Sequence, residues 1–158
     1  MSLYVFLKWV HILSSVVLVG TGFGTAFFFF YANRSGVVAA QAVVSRLVVR
    51  ADTWFTSPAV VIQPITGLWM AYLVGYPWTT PWLIAAVALY LFTGACWTPV
   101  VALQLRMARM AKVAHETGEP LPALYWQYAR RWEALGYPAF IAMLAVFYLM
   151  VAKPALWA

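Results

Sequence analysis

Four blocks of the chain stay apolar over lengths that can cross a bilayer: about Leu3 to Tyr31, Thr53 to Val74, Pro81 to Leu105 and Leu135 to Ala152. A helix needs about 20 such residues to span the hydrocarbon core. Backbone N–H and C=O groups find no partner in lipid, so a spanning segment is a helix or part of a closed barrel. Barrel strands are short and alternate in polarity, whereas these blocks are long and uniformly apolar. Only 9% of the 158 residues are charged, against about 25% in soluble domains. The chain reads as an all-α, integral membrane four-helix bundle. It forms a single four-span transmembrane domain over residues 1–158, with the lipid bilayer as its main partner.

The charges orient the bundle. Arg34, Arg46 and Arg50 lie between spans one and two; Arg106, Arg109, Lys112, Arg130 and Arg131 lie between spans three and four. Only Lys8 and Lys153 belong to the other side. Basic residues accumulate in cytoplasmic connections, so both termini are expected outside. The net charge of +6 has the same origin and does not point to nucleic acid. "GYPWTTPW" (75–82) suits a tight interfacial turn between spans two and three. The apolar stretch Trp9 to Tyr31 exceeds the roughly 7–15 residues of a signal-peptide core, so it reads as a retained helix.

Helical extensions are expected on the basic side. "SGVVAAQAVVSRLVVR" groups Gln41, Ser45 and Arg46 and suits a basic amphipathic helix at the membrane surface. Asp52 before "TWF" suits the N-cap of span two. "LRMARMAKVAH" continues span three until Gly118, Pro120 and Pro122 end the helix. "LYWQYARRWEAL" then opens the last long helix, with Pro138 one turn inside the span.

Polar residues in the spans mark where chemistry can sit. At about 100° per residue, Lys8, His11, Ser15, Leu18, Gly22, Thr25 and Phe29 share the face of span one that looks into the bundle. Gly20 and Gly24 fall opposite, on a small-residue seam where a membrane-protein partner or a second copy can approach. His11 has two readings. One is an interfacial histidine bonded to a neighbouring helix. The other is an axial ligand to a porphyrin or another metal, with Lys8 pairing a propionate or snorkelling to lipid phosphate. Met70 and Tyr90 fall near the depth of His11 and are the residues that could complete such a site. Gln63, beside Pro64, is either a ligand-facing point or a repair of the backbone that proline disturbs.

Several classes lose support. The single cysteine, Cys96, allows no internal disulfide and no paired-cysteine metal site. No Ser/His/Asp set, carboxylate pair or metal triad supports hydrolysis. No Asp or Glu stands well inside a span, with Asp52 at an edge and Glu133 just outside, which argues against a small proton-coupled transporter. The leading readings are a haem- or porphyrin-binding redox protein and a non-enzymatic accessory or assembly protein docking other membrane subunits, with a small transporter third.

"LKWVHILSSVVLVGTGFG", "TWFTSPAVVIQPITGLWM" and "RRWEALGYPA" resemble a family of bacterial four-span membrane proteins of unknown function. More distantly the chain resembles HemJ-type protoporphyrinogen oxidases and CopD-type membrane domains. The HemJ pattern has Lys-x-x-His early in span one, matched here by Lys8 and His11, and Thr-Pro-Ala before a Gly-Leu step in span two. Ser57, Pro58 and Ala59, then Gly67 and Leu68, stand in those places. The lysine that the HemJ family carries in span three has no counterpart in "WLIAAVALYLFTGACWTPV". The resemblance thus implies a multi-pass protein of the bacterial inner membrane and porphyrin or metal handling near His11, with haem b the implied cofactor.

Overall fold

The computed structural model describes residues 2–156. It is all-helical, with no strand among the described residues. Helix α1 covers Leu3–Arg34 and α2 covers Val38–Ala51. A π turn, Asp52–Thr56, joins α2 to α3, which covers Ser57–Val74. Helix α4 covers Pro81–Thr117 and α5 covers Ala123–Ala152. Four helical stretches are long and apolar enough to cross a membrane, with α2, the π turn and α3 counting as one of 37 residues. Much of their surface is apolar and open, from Phe28 and Trp54 to Ile141 and Val151. Patches of that extent mark a non-aqueous boundary, and lipid is the solvent that matches them.

The chain divides into two compact units. The first holds residues up to Gly75 together with Gln104–Pro122; the second holds Tyr76–Leu103 and the chain from Ala123.

In the first unit, Ser35 closes α1 by donating its hydroxyl to Ala32 O at 2.7 Å. The last carbonyls of a helix have no partner within it. Gln41 supplies one, donating Nε2–H to Asn33 O at 3.2 Å. That contact explains why α2 turns its polar residues inward. Gln41 and Ser45 are each only 1% exposed, while Val43 and Leu47 face out. The expected grouping with Arg46 does not form, because Arg46 stays exposed. Nor is α2 a separate surface helix: it runs through the π turn directly into α3.

Asp52 consequently caps nothing. It is expected as an N-cap, but helical backbone precedes it without a break, and its own N–H bonds back to Val48 O and Val49 O. It is a buried residue within a continuous helix. Helix α3 ends where Gly75 takes φ 78°, a left-handed conformation open to glycine at no steric cost.

In the second unit, the turn hydrogen bond Thr80 N–H to Pro77 O, 2.9 Å, leads into α4 with Pro81 as its first residue. Proline fits there because the first-turn N–H groups are unpaired in any helix. As expected, α4 runs beyond the span and stops before Gly118, and α5 starts on the basic segment. Tyr76 and Trp82 meet edge-to-face, ring centroids 5.3 Å apart. Lys153 donates to the Tyr76 hydroxyl at 3.4 Å.

Candidate functional site

Helices α1 and α3 pack against each other within the first unit, and their contact holds a chain of four polar side chains. The packed face of α1 runs through Leu7, Ser14, Leu18 and Phe29, with His11 half-buried among them. The expected stripe is therefore rotated slightly. Ser14 takes the inward place, while Ser15 bonds back to Ile12 O of its own helix. Lys8 is exposed.

His11 Nδ1 lies 2.9 Å from Thr66 Oγ1, and its Nε2 lies 3.3 Å from Gln63 Nε2. Ser14 Oγ donates to Gln63 Oε1. Thr66 Oγ1 donates to Ile62 O at 2.8 Å. These contacts fix the protons, because each hydroxyl has one hydrogen and a carbonyl only accepts. Thr66 gives its hydrogen to Ile62 O, so toward His11 it must accept. Nδ1 therefore carries the ring proton and donates. Nε2 keeps its lone pair and accepts from the Gln63 amide, whose oxygen accepts from Ser14. Ser14 Oγ also lies 3.0 Å from His11 O of its own helix, so its single hydrogen is shared between that carbonyl and Gln63 Oε1. A protonated ring would need the Gln63 amide turned over, with Oε1 facing Nε2.

Gly67 makes this approach feasible. A Cβ built there would lie 2.9 Å from His11 Cε1, so any side chain would displace the ring. The "Gly-Leu step" of the sequence is thus the flat surface on which the imidazole rests. Gln63 serves the interhelical link and not the backbone; Thr66 is the residue that bonds back to the main chain, to Ile62 O and more distantly to Gln63 O.

Met70 is half-buried on α3, one turn beyond Thr66, and the polar partners of His11 are Thr66 and Gln63. Tyr90 is half-buried on α4 and belongs to the second unit. Among the described residues no group of three or more His, Cys, Asp or Glu gathers as metal ligands. Ser14 is absent from the bundle-facing set expected of span one. Its place three residues after His11, on the same face, was the available signal.

Tested against a haem, the donor atom fits. A ligating histidine commonly donates its other ring N–H to a fixed acceptor, which sets the tautomer, and Thr66 is such an acceptor. Gln63 covers Nε2 and is the group an iron would displace. His11 is not among the residues lining the groove nearest Ser14. The groove beside Ser14, lined by Trp9, Leu13, Trp54, Pro58 and Ile62, measures about 230 Å³, below the ~300–1,000 Å³ of ordinary ligand pockets.

Gly20 and Gly24 present a second feature. A Cβ on either would meet nothing within 4 Å, so the seam that the sequence marks on α1 is open.

A second polar cluster lies elsewhere in the first unit. Thr56 Oγ1 donates to Asp52 Oδ1 at 2.8 Å. Gln104, from the segment of α4 in this unit, lies beside the same carboxyl. All three side chains are buried. Gln104 had a signal in the sequence, being a polar residue on the α4 stripe of Val100, Leu103, Met107 and Ala111, which is otherwise apolar and buried.

Residues 5–154 match the model of a family described as predicted integral membrane protein (DUF2269). No curated protein matches the chain, and no solved structure matches it.

Proposed function

The chain belongs to that family of integral membrane proteins, DUF2269, and from this premise we propose that it is a haem- or porphyrin-associated redox protein of the bacterial inner membrane, with His11 as the ligand. The observation that carries the reading is the proton arrangement on His11. Thr66 holds the Nδ1 proton, so the nitrogen left to bind a metal is Nε2. Lys8, one turn away and exposed, is placed in sequence to meet an anionic substituent. A bound haem would supply one-electron transfer. The chain's own residues orient the ring: Thr66 sets its tautomer, Gly67 sets its plane, and Gln63 keeps Nε2 covered until a ligand replaces it.

The test is optical. Protein purified in lipid nanodiscs, or supplied with haemin, should show a Soret band. His11→Ala should abolish it and Gln63→Ala should retain it. A colourless wild type that also fails to take up haemin would sink the reading.

The open Gly20 and Gly24 face favours a second reading, a non-enzymatic accessory protein docking another membrane protein or a second copy. Bare glycines let two helix backbones approach closely. Cysteines at these positions, in a Cys96→Ser background, should then cross-link to a stoichiometric partner. Monomeric protein under native extraction argues against it.

A further inference from the structure

We infer that the groove between α1 and the start of α3, together with Arg46 and Arg50 beyond its mouth, binds one anionic glycerophospholipid. The two arginines take the phosphate and the groove takes an acyl chain. The site does not involve the His11 ring.

Arg46 and Arg50 stand four residues apart on α2, and both are exposed. Like charges at that spacing on a helix repel. Neither guanidinium has a protein partner among the described residues. The nearest carboxylate in sequence, Asp52, is buried and takes a hydrogen bond from Thr56. An anion held between the two side chains removes the repulsion, and a guanidinium presents a planar fork of N–H donors that matches phosphate oxygens. The depth also suits a lipid phosphate. The apolar stretch from Thr53 to Val74 is about 33 Å long at the helical rise, close to the ~30 Å of the hydrocarbon core. Arg50 therefore stands just outside that core. Trp54, four residues further on, is 75% exposed, as tryptophan is at the headgroup level.

The apolar half begins at Trp54. The groove opens beside Trp54 and Phe55 and runs between Ile62 of α3 and Leu13 and Trp9 of α1. Ala59, almost fully buried, is one of the short side chains that leave it hollow. The flanking Trp9, Leu13, Trp54 and Phe55 are all exposed, so the groove is open to lipid. From Trp54 to Ile62 is about 12 Å along the helix, a path from the headgroup level into the core. No charged side chain lines it, so a water-soluble phosphate compound leaves it empty. The π turn carries α2 into α3 without a break, which puts the arginines and the groove on one continuous helix. An anionic head joined directly to a hydrocarbon chain matches both halves, and the bilayer supplies such molecules.

Native mass spectrometry of the protein released from nanodiscs of equal parts phosphatidylglycerol and phosphatidylethanolamine tests this. The wild type should retain one phosphatidylglycerol per chain in preference to phosphatidylethanolamine. Arg46→Gln with Arg50→Gln should lower that preference roughly thirtyfold, since each basic residue near an anionic surface is worth about a factor of five. Arg130→Gln with Arg131→Gln, an equal loss of charge from α5, should leave it unchanged. Val17→Trp, which fills the groove and keeps the arginines, should release the lipid. Should that variant fail to fold, Leu13→Trp fills the same groove from an exposed position. Glycerol phosphate, which has the head and no chain, should not displace the lipid. A wild type that retains no phosphatidylglycerol, or retains both lipids equally, overturns the proposal. So does an α5 pair that loses as much as the α2 pair, a filled groove that keeps its lipid, or displacement by glycerol phosphate.

Discussion

The imidazole of His11 lies on the bare Cα of Gly67: a Cβ at that position would stand 2.9 Å from His11 Cε1. The helix that carries the acceptor for the ring thus also carries the one residue type that lets the ring reach it.

Gly67→Ala is expected to destabilise the protein. Glycine-to-alanine in a helix interior ordinarily gains up to about 1 kcal/mol, but overpacking against a fixed ring costs about 1–3 kcal/mol, and the clash should win. Gly94→Ala on α4, where a Cβ meets nothing within 4 Å, should show the gain alone. Unfolding in bilayers or mixed micelles measures both; the same sign for the two variants would refute the packing argument.

Thr66→Val should leave the His11 Nδ1 proton without its acceptor. Such losses cost about 1–3 kcal/mol, and Thr66→Ser should restore most of the stability. Nitrogen-15 NMR of labelled histidine separates this from simple repacking. The wild type should show the Nδ1–H tautomer at His11, and Thr66→Val should shift its population.

Ser14 and Gln63 act as one unit, so their truncations should not add. A double-mutant cycle with Ser14→Ala and Gln63→Ala should return a coupling of about 0.5–3 kcal/mol. A coupling near zero would mean that Gln63 serves His11 alone.

The charge distribution predicts sidedness. In a Cys96→Ser background, a cysteine at Ser35 should react with impermeant maleimide only from the cytoplasmic side. One at Trp78, in the turn free of basic residues, should react only from outside. The reverse pattern would overturn the orientation.

Most of the architecture was legible because it depends on composition summed over some twenty residues. The four spans, the stop of α4 before Gly118 and the start of α5 all rest on such sums or on strong helix breakers. Polarity over single turns was harder to read. Gln41 and Ser45 look like a water-facing stripe until α1 ends beside them and Asn33 O requires a donor. Asp52 looks like a cap because nothing local reveals that the helix before it continues through a π turn.

The sequence by itself determined that this is a helical membrane protein, that His11 stands near the end of its first span, and that Gly20 and Gly24 lie off the face that carries it. Lipid cannot satisfy backbone groups, so apolar length alone dictates helix. Only the tertiary structure decided what His11 and Asp52 are bonded to. Thr66 follows His11 by 55 positions, and Gln104, which lies beside Asp52, comes from a different helix. Hydrogen bonds depend on distances of a few tenths of an ångström, and it is the packing of α1 on α3 and the unbroken π turn that set them.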